Sequence, residues 1–307
     1  AIICSIGLAP INDASANEGT AITEVATLEH DLGLGQDNSL VQVDADTYAL
    51  AYTGVDGDGF ISTFDIAADG TTITEVATLE HDTDNGTFNS LVQVDSDTYA
   101  LAYAGTGQDG FISTFTISSS GVITAVRTQS LGNNLEHDTV HGRYNSLVQV
   151  DSDTYALAYT GDDPDANFSG NGFISTFTIS SSGAITAVKT QSLGNNLEHD
   201  TVQGYFNSLV QVDSDTYALA YSGSDYDGFI STFDIAADGT ITAVKTQSLG
   251  NNLEHDTAQG KYNSLVQVDA DTYALAYAAD ASDGYISTFD IAADGTTITE
   301  VATLEHD

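Results

Sequence analysis

The tripeptide Glu-His-Asp occurs six times, at Glu29/His30/Asp31, Glu80/His81/Asp82, Glu136/His137/Asp138, Glu198/His199/Asp200, Glu254/His255/Asp256 and Glu305/His306/Asp307. A histidine between two carboxylates can bind a transition metal or act as a general base, because its charge changes near neutral pH. The recurrence argues otherwise. A catalytic centre needs one asymmetric set of groups with distinct roles. A motif present in every copy of a repeat fits a scaffold position, where imidazole and Asp pin a loop by hydrogen bonds once per copy.

A second group of candidates varies from copy to copy. The loops GVDGDG (54–59), GTGQDG (105–110), GDDPDANFSGNG (161–172), GSDYDG (223–228) and AADASDG (278–284) are rich in Asp and Gly. Carboxylates beside glycine turns suit a hard cation. Ca²⁺ is therefore the expected cofactor, with Asp56, Asp58, Asp162 and Asp165 as ligands, although no loop matches an EF-hand. Gly-Asp is also ordinary turn chemistry. Variation on a constant scaffold is where binding specificity sits, which singles out Asp56, Asp109, Asp163, Phe168, Tyr226, Asp227 and Asp283. The rings of Tyr226, Phe168 and Tyr144 are suited to stacking on sugars. Phosphate loops, nucleophile elbows, CxxC pairs and HExxH are absent. A hydrolase would need one unusual loop, and only Thr160–Gly172 departs from the rest.

The elements that must carry these residues come from one repeat. NSLVQVD begins at Asn38, Asn89, Asn145, Asn207 and Asn263. Each copy continues through TYALAY, G-[FY]-ISTF and IT-x-V-x-T to LEHD, and the middle three carry an extra QSLGNN before LEHD. In the first copy, strands are expected at Ser39–Val43, Thr47–Tyr52, Phe60–Ile66 and Ile73–Leu79. In the second of these Tyr48, Leu50 and Tyr52 share one face while Ala49 and Ala51 share the other. Large residues on one side and small on the other suit a strand held between two layers. No segment of useful length has the helical period.

Lys+Arg number 5 against 45 Asp+Glu, a formal net charge of −40. This excludes nucleic acid, whose binding needs basic groups to displace counterions, and disfavours anionic membranes. Hydrophobic residues at 41% supply a core. Salt shortens the reach of like-charge repulsion, so an extracellular or cell-surface place in a saline medium is expected. No run is long enough to insert in a membrane. The absence of Met, even at position 1, suggests a processed chain from which a signal peptide has been removed. The lone Cys4 allows no internal disulfide and is expected to be a small buried hydrophobe.

Four antiparallel strands in about 50 residues, in tandem, resemble the blades of β-propellers. There is no Trp, so the WD-repeat kind is excluded, and kelch and integrin-type calcium signatures are missing. Five-bladed lectin propellers are similar in blade count and size only. The expected fold is all-β: a five-bladed β-propeller of four-stranded antiparallel blades (about 38–82, 89–138, 145–200, 207–256 and 263–307) with a non-repeat N-terminal arm, 1–20. One strand is surplus. Residues 21–31, AITEVATLEHD, nearly duplicate 297–307, TITEVATLEHD. Either can complete the last blade, leaving the other to pack outside it, to enter a second molecule, or to belong to a longer array. Ile22, Val25, Leu28, Ile298, Val301 and Leu304 would line such an inter-subunit strand. The reading that follows is a non-catalytic surface or structural protein, no enzyme, acting by self-association or adhesion, as in a filament. A lectin taking glycans in the variable loops is the alternative. Partners are thus further copies of the chain or glycans.

Overall fold

A computed structural model describes residues 23–162 and 169–306. Ile22, Cys4 and the arm 1–20, together with Asp163, Asp165 and Phe168, lie outside these. The fold is all-β, a five-bladed β-propeller of antiparallel blades spanning 36–82, 87–138, 143–200, 205–256 and 261–305. Blade 1 shows the plan: strands Gln36–Gln42, Thr47–Thr53, Gly59–Ile66 and Ile73–Asp82 pair in sequence order. In blades 2–4 the QSLGNN insert splits the outer strand. In blade 2 it leaves Ile123–Arg127 and Leu135–Asp138, both paired to Gly110–Ile117. The insert makes a single turn. Thr128 Oγ1 accepts from the Leu131 N–H at 3.3 Å, and Gly132 ends the turn in the left-handed region at φ 64.

The two unlike faces of the second strand determine how blades meet. Tyr99, Leu101, Tyr103 and Phe115 of blade 2 pack on Ala49, Ala51 and Ile61 of blade 1, all fully buried. Each large side chain withdrawn in this way contributes roughly 1.5–3 kcal/mol. The same large-on-small packing recurs between blades 2 and 3, 3 and 4, and 4 and 5. Two hydrogen bonds, among others, recur at each of these interfaces. The first joins innermost strands, as from Leu91 N–H to Ser39 Oγ at 2.9 Å and from Leu147 N–H to Ser90 Oγ at 3.0 Å. The second runs from a third-strand Thr to the next blade's turn, as from Thr63 Oγ1 to the Gly121 carbonyl at 2.7 Å.

Neither bond is made between blade 5 and blade 1 among the described residues, and no comparable packing joins them. Val266, Ile286, Val301 and Leu304 of blade 5 are exposed at this seam, as is Leu40 of blade 1. The surplus segment does not complete the last blade. Ile298–Glu305 pairs with Gly284–Ile291 along its length, while residues 23–30 join no sheet and lie on blade 1. Of the residues proposed for an inter-subunit strand, Val25 is exposed, and Leu28 lines an apolar hollow with His30, Leu50 and Phe64. Ile298 packs on the core of blade 5.

Candidate active site at blade 3

The recurrent Glu-His-Asp places its three side chains in separate environments. His81, His137 and His199 are fully buried, edge-on to aromatic rings of the next blade. His81 lies 4.7 Å from Tyr103 and 5.9 Å from Phe115, centroid to centroid. Burial pushes each of these imidazoles down to about 3, so they stay neutral and out of reach of water. Neither ring nitrogen has a hydrogen-bond partner. The expected pinning by hydrogen bonds therefore comes from Asp alone: Asp82 Oδ1 accepts from the N–H groups of Asp84 and Asn85, at 3.1 and 3.2 Å. The imidazole pins by packing. A Cβ on Gly59 would come within 2.5 Å of the His81 ring, so glycine is required there by close approach.

Glu80, Glu136 and Glu254 reach the variable loops and hydrogen-bond Asp58, Asp109 and Asp227 respectively. Burial, followed by the neighbouring Asp, raises Glu136 above its ordinary range; burial also raises Asp109 and Asp227. In blade 3 an amide replaces the acid, and Asn171 Nδ2 donates to Glu198 Oε1 at 2.7 Å. Asp56 lies in a turn at φ 61, and Asp283 borders an open hollow on blade 5. Tyr226 lies under Lys261, whose Nζ is 4.2 Å from the ring centroid. Among the described residues no three His, Cys, Asp or Glu side chains are grouped to hold one metal ion.

One place breaks the repeat. Where blades 2, 4 and 5 open with Asn85, Gln203 and Gln259, blade 3 has His141. Its N–H and that of Val140 are tied to Asp138 Oδ1 at 3.1 and 2.9 Å, the same turn as in the other blades. Its Nδ1 is 2.6 Å from Asp162 Oδ2, with both side chains about one-fifth exposed. Asp162 is fixed in turn: Oδ1 accepts from the Gly170 N–H at 2.9 Å. Gly170 sits at φ 112, and a Cβ there would run into the Tyr205 hydroxyl. Asp162 begins the long loop, which extends its strand to Thr154–Asp162 where other blades turn earlier. With Nδ1–H committed to the carboxylate, Nε2 carries the free lone pair, and no described residue bonds it. Arg143, two residues on, opens the innermost strand opposite Thr160. Its Nε is buried without a partner. Tyr144 and Tyr205 adjoin it, ring centroids 5.3 Å apart.

Of the four expected Ca²⁺ ligands, Asp165 lies outside the described residues. Asp162 is engaged with a histidine, while Asp56 and Asp58 belong to blade 1. His141 escaped the sequence reading because a single His carries no motif. The available signal was arithmetic: six of seven His lie in Glu-His-Asp and the seventh does not.

No protein-family model and no curated protein sequence matches the chain. Solved structures are similar in fold. The Pseudomonas aeruginosa periplasmic gluconolactonase is 13% identical over 88% of this chain and 85% of its own, with a TM-score of 0.48. The catalytic domain of the Coprinopsis cinerea GH62 α-L-arabinofuranosidase is 13% identical over 85% of this chain and 90% of its own, at 0.44. A chain of the COPII outer coat vertex on membranes is 15% identical over 88% of this chain and 63% of its own, at 0.52. These likenesses establish a β-propeller and reach no further than the fold. The expectation of a non-catalytic surface or structural protein and of no enzyme is corrected to this extent: chains of similar fold include ones named as lactonases and a glycosidase, at 10–13% identity. Among the described residues no helix is long and apolar enough to cross a membrane.

Proposed function

We propose that this propeller is a hydrolase whose general base is His141, oriented by Asp162. The observation that carries the reading is the 2.6 Å contact between His141 Nδ1 and Asp162 Oδ2 at the one position where the repeat is broken. A carboxylate on Nδ1–H fixes the tautomer and stabilises the imidazolium that forms when Nε2 takes a proton from water. The hydroxide equivalent so produced attacks a carbonyl carbon, and the same imidazolium returns the proton to the leaving oxygen. Arg143, two residues along the chain from His141, supplies positive charge for the developing oxyanion. The net charge of −40 disfavours anionic substrates, so the substrate class is a neutral ester or lactone. Tyr144 and Tyr205 offer it flat apolar surface. The acidic composition supports a working place outside the cell, in salt.

The test is hydrolysis of neutral aryl esters and aldonolactones by the purified chain. His141→Gln puts in the residue that blades 4 and 5 carry, so the fold should keep its melting temperature while kcat falls about 10²–10⁴-fold, the usual contribution of a general base. Asp162→Asn should lower kcat with KM little changed, because it acts through the imidazole. Turnover that survives His141→Gln, or none above buffer across the panel, would remove this reading.

A further inference from the structure

Every blade carries one bulky or charged residue in the left-handed region at the start of its innermost strand: Asp37, Phe88, Tyr144, Phe206 and Tyr262, with φ between 52 and 55. A large non-glycine side chain seldom adopts such a φ, at a cost of order 1 kcal/mol. A register shift accompanies each, so the bulge turns these residues off the ladder. The next blade holds the strained backbone. Asn145 Nδ2 donates to the Phe88 carbonyl, Asn207 to that of Tyr144 and Asn263 to that of Phe206, at 3.1–3.2 Å.

The outcome is a collar. Phe88 and Tyr144, Tyr144 and Phe206, and Phe206 and Tyr262 follow one another at 4.5, 4.6 and 4.6 Å, each ring turned 50–56° from the last. They line a cavity of about 250 Å³ with the Asn side chains beside them, and Asp37 takes the fifth place. Asp37 Oδ2 accepts from Thr53 Oγ1 at 3.2 Å. The second amide proton of Asn145, Asn207 and Asn263 goes to a glycine carbonyl. The Oδ1 atoms of these Asn residues and of Asn89 are buried and have no donor. The flanking cations are Arg143 and Lys261, and Lys261 is drawn off onto Tyr226.

Aromatic rings with a carboxylate in a negatively charged protein are the chemistry that recognises a quaternary ammonium group. We propose that this collar is a second site, distinct from His141 and Asp162, which binds a small organic cation of the trimethylammonium type. The volume lies just under the ~300 Å³ at which small-molecule clefts usually begin, so the occupant is small. Ring faces supply cation–π attraction and Asp37 supplies the counter-charge.

The probe is choline, titrated into the full chain by isothermal calorimetry or by proton NMR of the aromatic envelope, against its uncharged isostere 3,3-dimethyl-1-butanol. Choline should bind at least 10-fold more tightly than the alcohol. Asp37→Asn keeps a residue type that tolerates this φ, and Tyr262→Leu alters a ring that is 70% exposed; each should weaken choline about 5-fold or more at unchanged melting temperature. Equal binding of the alcohol would show a merely apolar hollow. Equal affinity in both variants would place the cation elsewhere, and no heat or shift up to 20 mM choline would show no such site. Each of these three results overturns the proposal.

Discussion

At the scale of single residues, the glycines show two unlike reasons for the same side chain. Gly110 has an ordinary backbone, yet a Cβ there would lie 2.5 Å from Cε1 and Nε2 of His137. Gly132 has nothing within 4 Å of its added Cβ but sits at φ 64. Gly110→Ala therefore overpacks a buried blade junction and should cost about 1–3 kcal/mol. Gly132→Ala meets only the left-handed penalty, roughly 1–2 kcal/mol. Urea midpoints of the two variants test this. A neutral Gly110→Ala would mean that the His137 ring is not held where its packing places it. The sequence placed Gly110 in an Asp-Gly loop and Gly132 in the QSLGNN insert but could not distinguish their reasons, because the distance to a ring on another strand is a tertiary fact.

At the scale of the element, the outer strand is the part the sequence described least well. TYALAY and ISTF were legible as strands through their alternation of large and small residues, and Thr47–Thr53 and Gly59–Ile66 lie within one residue of expectation. LEHD looked like the beginning of a loop, yet in blade 1 the strand runs through it to Asp82. Its hydrophobic pattern is weak because its two fully buried side chains are a histidine and an aspartate, His81 and Asp82. The collar residues were illegible for a similar reason: a left-handed Phe or Tyr contradicts local preference, and at Phe88, Tyr144 and Phe206 it is an Asn of the neighbouring blade that holds it.

Burying that histidine ties blade packing to pH. His81, His137 and His199 titrate at about 3 and His255 at about 4 in the folded chain, against about 6.5 unfolded. The unfolded chain then binds more protons across this window, so the stability they contribute is complete above pH ~6.5 and is lost as pH falls towards 3–4. Burial raises Asp138 from 3.8 to about 6; its contribution is present below its unfolded value and lost as pH rises through 6. Burial raises Glu80, Asp82, Asp109, Glu136, Asp200 and Asp227 in the same sense, but each of the four histidine shifts is larger than that of Asp138. Urea midpoints measured from pH 7.5 to 4.5 should fall on acidification, and the fall should be shallower in His137→Gln than in the parent. Parallel slopes would uncouple these imidazoles from acid unfolding.

At the scale of the whole molecule, the unpacked seam and the surplus segment are one problem. Between blades 1 and 2 a single outer strand does two jobs: it pairs in its own sheet and lays His81 on Tyr103 of the next blade. At the seam the jobs are divided. Ile298–Glu305 pairs in blade 5, while residues 23–31 meet blade 1. His30 lies 4.7 Å from Tyr52, matching His81 on Tyr103. Asp31 Oδ1 accepts from the N–H groups of Gly33 and Leu34, at 2.6 and 2.9 Å, matching Asp82. Val25 faces Gly70 as Val76 faces Gly121. Residues 21–31 and 297–307 differ only at their first position, so the edge of Gly284–Ile291 can take either. Removing 297–307 should let residues 21–31 pair there while His30 stays on Tyr52, which brings blade 5 against blade 1. The truncated chain should be a monomer with a smaller radius of gyration by small-angle scattering and an undiminished cooperative melt, since closing the seam buries Val266 and Ile286. Removing residues 1–31 as well takes away both candidates and should lower the melting temperature by several degrees, with loss of protection in 261–296 by hydrogen exchange. An expanded or partly melted particle after the first truncation alone would mean that the two segments are not exchangeable, however alike their sequences.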